Sequence, residues 1–298
     1  MSTKAHPRQP AGPPMTRSLI EFTKPGITRM VVLTAAAGYL LGMTGSLDIL
    51  VFIHTLVGTA LVASGTNALN QWLERDADAL MHRTRNRPIP SGRLAAGPAL
   101  VLAIGLSLAG VGQLYVFVHP LPALLAAITA LSYGFVYTPL KRRTSLSTLI
   151  GSVPGALPIL GGWAAARGTV DLGGWMLFAI LFLWQVPHFL ALGWLYREDY
   201  RRGGFRLLAV IDPDGGSSGR QALLYAGVLV PSSVLPAMWG LAGGLYLTAA
   251  LVAGLTLVML AAGFARQASV ARARRLFLGS LAYLPLVLAA MVLDKVVG

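Results

Sequence analysis

The chain alternates long apolar runs with polar breaks of two kinds. Nine runs approach the roughly 20 residues that a helix needs to cross a bilayer. They lie at roughly 27–45, 49–73, 97–117, 121–139, 146–166, 173–195, 221–240, 245–265 and 276–294. Between some of them the chain has room only for a tight turn, as at Gly45-Ser46-Leu47, His119 to Pro122 and Gly240 to Gly244. The alternate connections are longer and basic. This pattern predicts an all-α fold, a single polytopic bundle of about nine transmembrane helices over 25–298, preceded by a Pro-rich, basic and flexible tail over 1–24.

Charge then orients the bundle. Of the 24 Lys and Arg residues, only Arg167 and Lys295 fall outside the N-terminal segment through Arg29 and the long connections. Cytoplasmic loops carry the excess of Lys and Arg, so the basic side is expected to be cytoplasmic, with the N-terminus inside and the C-terminus across a bacterial inner membrane. The acids follow. Glu74, Asp76, Asp78, Glu198, Asp199, Asp212 and Asp214 all sit on the basic side, and an active site is expected to open there.

Composition changes the picture in two respects. The net charge of +13 would fit a nucleic-acid partner, but its confinement to membrane loops removes that reading. The absence of cysteine excludes disulfides, thiolate metal sites and a cysteine nucleophile.

The most informative stretch runs from Asn67 to Arg93. At about 100° per helical residue, Asn67, Asn70, Glu74 and Asp78 share one narrow face, whereas Asp76 points away. Arg83, Arg85 and Arg87 follow, and Pro88 and Pro90 are expected to stop the helix. Such a face also serves as a helix cap and a solvated charge cluster. With arginines behind it, it is better suited to a diphosphate: hard cations such as Mg²⁺ take carboxylate and amide oxygens together with substrate phosphate, and guanidinium groups fork onto phosphate oxygens.

Two more clusters stand out. Tyr137-Thr138-Pro139-Leu140-Lys141-Arg142 ends the fourth run, and Lys141 is the one lysine in an internal basic-side loop. It reads either as an interfacial anchor or as a point charge for diphosphate. Gln185 and His188 flank Pro187 within the sixth run, and polar groups at membrane depth default to a cavity or site. His54 and His119 have no such neighbourhood and read as structural. The ends Trp72-Leu73-Glu74-Arg75 and Trp194-Leu195-Tyr196-Arg197 echo each other four runs apart, as a parallel internal repeat would.

From about Lys24 to Leu293 these clusters together resemble the UbiA-type intramembrane prenyltransferases. The motif carrying the resemblance is Asn70, Glu74, Asp78, Arg83 and Arg87-Pro88; the runs YTPLKRRT, FLWQVPHF and YREDYRRGGF give it the flavour of the haem-acting branch. Glu74 stands where many members carry Asp, and Asp199 is not followed by a second Asp four residues on. The resemblance implies farnesyl transfer from farnesyl diphosphate to a vinyl group of haem B. It assigns Asn70, Glu74, Asp78 and Asp199 to Mg²⁺, and Arg83, Arg87 and Lys141 to the departing diphosphate. Asn67, Gln185 and His188 become candidates for the haem side, with Tyr137, Arg142 and Arg197 as further substrate contacts. Farnesyl diphosphate, haem B and the lipid bilayer are the implied partners, with a haem A synthase or terminal oxidase as an assembly partner and no nucleic acid. Prenylation of a quinone precursor or chlorin is the competing chemistry. A transporter is the competing class, set back by the concentration of charge at one face.

Overall fold

The computed structural model describes residues 14–297, so the first thirteen residues of the expected tail lie outside the described residues. The rest of that tail is not structureless. It holds α1 (Met15–Phe22), with Ser18 and Phe22 buried. Gln71 donates to the carbonyls of Glu21 and Phe22, and Arg93 bridges to Glu21, so α1 is pinned across the basic end of the bundle.

The spans follow as α2 (Pro25–Gly42), α3 (Ile49–Leu73), a short α4 (Arg75–Leu80), α5 (Ala96–Phe117) and α6 (Pro120–Leu131). A π-helical stretch, Ser132–Tyr137, and the single turn α7 (Thr138–Leu140) complete the fourth span. Then come α8 (Ser147–Arg167), α9 (Leu172–Leu195), two short helices α10 (Arg197–Arg202) and α11 (Leu208–Ile211), α12 (Gly216–Met238), α13 (Gly244–Arg266) and α14 (Val270–Val297). Among the described residues, nine helical segments are long and apolar enough to cross a membrane. This is an integral membrane protein built of helices.

Two boundaries differ most from the reading of the sequence. The helix after Asn67 ends at Leu80 rather than at Pro88, because Met81 turns to extended backbone. The last span starts at Val270 and carries Arg272, Arg274 and Arg275 on its first turns; Arg272 donates to the Gly263 carbonyl, and Arg274 and Arg275 are exposed, as long basic side chains at a span's end can be.

The main core lies between α8, α9, α12, α13 and α14, around Trp163, Tyr246 and Tyr283. The walls α2 and α8 cross at backbone distance: a Cβ on Gly38 would collide with the Ile159 carbonyl, and one on Gly162 with that of Ala35. At the end away from the basic loops the acids are caps. Asp48 accepts from the N–H groups of Leu50 and Val51, and Asp171 from those of Gly173 and Gly174, satisfying helix N-termini. His54 pairs with Gln113, and His119 caps α6, as expected of structural histidines.

The internal echo is structural. Both long helices break at the same relative position, Glu74 and Tyr196, and each continues as a six-residue helix. In each, the arginine stacks on the tryptophan three residues earlier, Arg75 on Trp72 at 4.5 Å and Arg197 on Trp194 at 4.3 Å. The short helices meet through Ala77, Met81, Phe205 and Tyr200, forming a lid of loops over the basic end.

Candidate active site

The polar face expected on α3 and α4 exists because helical hydrogen bonding runs through the junction: the Glu74 N–H donates to the Asn70 carbonyl at 3.0 Å, and the Asp78 N–H to that of Glu74 at 2.8 Å. Asn67, Asn70, Glu74 and Asp78 are all buried, whereas the Asp76 side chain is 83% exposed. Each buried group has a definite partner. Lys141 donates to Glu74 Oε1 at 2.7 Å, and Arg87 to Asp78 Oδ2 at 2.6 Å.

Asn70 is oriented from both ends. Its Nδ2 donates to Thr138 Oγ1 at 3.2 Å, while its Oδ1 accepts from Lys24 Nζ at 2.7 Å. The Thr138 hydroxyl hydrogen goes to the Tyr133 carbonyl, so Thr138 can only accept from the amide. Lys24 reaches the site because it takes a left-handed backbone conformation, φ 49°, directly before Pro25. The sequence marked it only as the end of a tail. Thr138 and Tyr133 were missed for a similar reason: the π-helical stretch that sets their direction has no clear signature, although such bulges concentrate at functional sites.

Three cations and two carboxylates thus share one buried neighbourhood. Burial pulls the Lys24 ammonium down to about 7, helped by Arg87. Burial works to raise the Glu74 carboxyl, but Lys141 outweighs it and holds the group below its usual range. Burial also works against the Lys141 charge, and Glu74 reverses the effect, pushing Lys141 above its ordinary value. Asp78 is pushed up by burial, which Arg87 offsets only in part.

Asp78 Oδ1 is buried with no hydrogen-bond partner. An orphaned carboxylate oxygen at 0% residue exposure is costly unless something fills the position. Together with Asn70 Oδ1 and Glu74 it offers hard oxygen donors on one face, the set a Mg²⁺ ion accepts. Asp199 does not join them. Its two oxygens accept from the backbone N–H groups of His82 and Arg83, each at 3.1 Å, and Arg202 lies at 3.3 Å. Asp199 therefore caps the loop after α4, and no three His, Asp or Glu side chains among the described residues converge on one metal position.

Below the polar face opens a cavity of about 430 Å³ with mainly apolar walls from α2, α3, α6, α8, α9 and α14, a size typical of small-molecule sites. Asn67, Tyr137, Gln185 and His188 all line it, as does Thr66, whose buried Oγ1 lacks a partner. Gln185 donates to the Ser152 and Leu181 carbonyls, and its Oε1 lies against Gly155 so closely that a Cβ there would overlap it. Asn67 donates to Thr28. The remaining candidates stand further out. Arg83 is exposed and stacks on Tyr196 at 4.8 Å, Arg142 is exposed over Phe205 at 5.9 Å, and Arg197 is held by Trp194.

A profile of the UbiA prenyltransferase family matches residues 31–284. The chain belongs to this family. A protoheme IX farnesyltransferase from Solibacter usitatus (strain Ellin6076) is 46% identical over 288 residues, covering 94% of this chain and 99% of the relative. One from Myxococcus xanthus (strain DK1622) is 44% identical, covering 95% and 96%. Among solved structures of the UbiA fold, a digeranylgeranylglyceryl phosphate synthase superposes with a TM-score of 0.80 at 18% identity, covering 95% of this chain and 99% of that one. A UbiA homologue from Archaeoglobus fulgidus bound to GPP and Mg²⁺ superposes with 0.64 at 13% identity, covering 92% and 99%.

Proposed function

We propose that this enzyme transfers the farnesyl group of farnesyl diphosphate to a vinyl group of haem B, releasing diphosphate. The observation that carries the reading is the Asn70–Glu74–Asp78 face, with its orphaned Asp78 oxygen and its basic partners Lys24, Lys141 and Arg87, one helical turn along α3 from Asn67, which lines an apolar cavity. The curated relatives named for this activity span nearly the whole chain, and the same fold in the Archaeoglobus fulgidus homologue holds GPP and Mg²⁺.

Asn70, Glu74 and Asp78 would hold Mg²⁺, which supplies a Lewis acid for the diphosphate oxygens. Lys141 and Arg87 balance the charge that grows as the carbon–oxygen bond breaks and its electron pair leaves with diphosphate. Arg83, on the loop fixed by Asp199, faces the same anion from the lid. The apolar walls keep water from the allylic cation. Its C1 is attacked by the terminal vinyl carbon of haem, and water adds at the inner vinyl carbon and loses a proton, giving a hydroxyethylfarnesyl group. Tyr137, Gln185 and His188 line the space for chain and acceptor. The basic end is assigned to the cytoplasm of a bacterial inner membrane, and the product passes to enzymes that modify haem further or to a terminal oxidase.

Expression in bacterial membranes lacking haem O, followed by extraction and mass analysis of haems, tests the reading. A new haem heavier than haem B by one hydroxyethylfarnesyl group is the expected result. Haem B alone, with the protein present and folded, would move the acceptor to a quinone precursor or chlorin.

A further inference from the structure

The imidazole of His188 is held more firmly than packing alone requires. Its Nδ1 lies 2.9 Å from Ser280 Oγ, and Ser280 Oγ lies 2.7 Å from the Phe277 carbonyl oxygen. Ser280 has one hydroxyl hydrogen to share between these two short contacts. A carbonyl can only accept. If the hydrogen pointed to His188, Oγ and the Phe277 oxygen would face each other at 2.7 Å with nothing between them. The hydroxyl therefore donates to Phe277, and Ser280 Oγ accepts from an Nδ1–H of His188.

This fixes the neutral tautomer: the proton is on Nδ1 and the lone pair on Nε2. Ser280 is itself immobile. It is fully buried, and its carbonyl accepts from the Trp184 indole N–H at 2.7 Å. The ring is held between Trp184, stacked at 5.0 Å and 26°, and Phe277, tilted at 4.9 Å and 32°. His188 lines the cavity, and Nε2 makes no hydrogen bond to any described residue.

An imidazole whose Nδ1–H is committed to an oxygen acceptor and whose Nε2 is open to a cavity is the arrangement found in metal-ligating histidines, where the outer partner fixes tautomer and ring direction. We propose that His188 binds the iron of the haem acceptor through Nε2, and that Ser280 is the positioning residue that makes it a ligand. The inference rests on haem being the acceptor. It assigns His188 an electron-pair donor role that a proton-donating histidine could not fill, and it anchors the macrocycle at its centre, leaving the vinyl edge free to approach the prenyl chain.

The test uses the full-length protein in detergent, titrated with ferric haem B in the absence of prenyl diphosphate and read by absorption and electron paramagnetic resonance. Wild type is expected to give a nitrogen-ligated iron spectrum. His188→Ala should lose that signature, and added imidazole should restore it. Ser280→Ala should weaken ferric haem B affinity by about 10-fold or more, the usual cost of losing an outer partner, with prenyl diphosphate binding kept as evidence of fold. Unchanged iron spectra in a folded His188→Ala protein that binds haem would overturn the ligation while leaving the acceptor reading intact. A wild-type protein that neither binds haem nor farnesylates it would remove the acceptor reading, and the ligation with it.

Discussion

Lys24 Nζ donates to Asn70 Oδ1 across 46 residues of chain, at 2.7 Å. The bond places the Lys24 amine, charged below about pH 7, on the amide oxygen that the proposed metal would need. A metal taking that oxygen would have to displace Lys24 from it, and the freed amine would be available to a phosphate oxygen.

The depressed ammonium gives a stability signature. With Lys24 at about 7 in the fold and about 10.4 when unfolded, the unfolded chain binds the extra proton between these values, so stability rises with pH across that window. Lys141 does not oppose this, because its raised value keeps its contribution intact until the pH exceeds that of an ordinary lysine. Thermal unfolding of the metal-free protein should shift upward from pH 7 to pH 9, and Lys24→Met should flatten the slope. A wild-type melting temperature that falls over this range would contradict the assignment.

The two neighbouring aspartates should behave differently. Asp78→Asn keeps shape but removes the charge from the buried face, and turnover should fall by about 10²–10³-fold, the scale of losing one electrostatic contact to a developing charge. Asp76→Ala, on the exposed side, should stay near wild type. Steady-state kinetics on both decide the matter; equal losses would mean that the helical face is misassigned.

At Gly155 the smallest possible addition should be harmful. A methyl group would meet Gln185 Oε1, and forcing atoms into a packed wall costs about 1–3 kcal/mol. Gly155→Ala should lower thermal stability and block haem prenylation, yet retain binding of prenyl diphosphate, which calorimetry can follow separately from product formation.

Asp199→Asn separates a cap from a ligand. The backbone N–H groups of His82 and Arg83 would face a weaker acceptor, loosening the loop that carries Arg83 and Arg87. KM for farnesyl diphosphate should rise with the Mg²⁺ dependence unchanged. A shifted Mg²⁺ requirement would return Asp199 to the metal set.

Much of this architecture was legible because it depends on local periodicity. Span number follows from apolar length, and the face of Asn67, Asn70, Glu74 and Asp78 follows from helical phase, which survives the break at Glu74 because hydrogen bonding continues through it. What stayed hidden is set by distant contacts. Lys24 enters through one left-handed residue, Asp199 finds its partners 116 and 117 residues away, and Ser280 matters only through its position beside His188. Charge type alone gave no means to tell Arg87, which is inside the cluster, from Arg142 and Arg197, which are spent on aromatic rings.

The glycine crossing of α2 and α8 has a consequence for how such an enzyme can diversify. With backbone against backbone at Gly38 and Gly162, those two positions have no room for a side chain, and the crossing itself cannot be rebuilt. Retuning toward another acceptor must come instead from side chains that line the cavity, among them Phe189 and Leu192 of α9 and Phe277 and Leu281 of α14. A designer seeking a new product would therefore randomise those four positions first and leave the glycine crossing untouched, as a fixed anvil against which new shapes are formed.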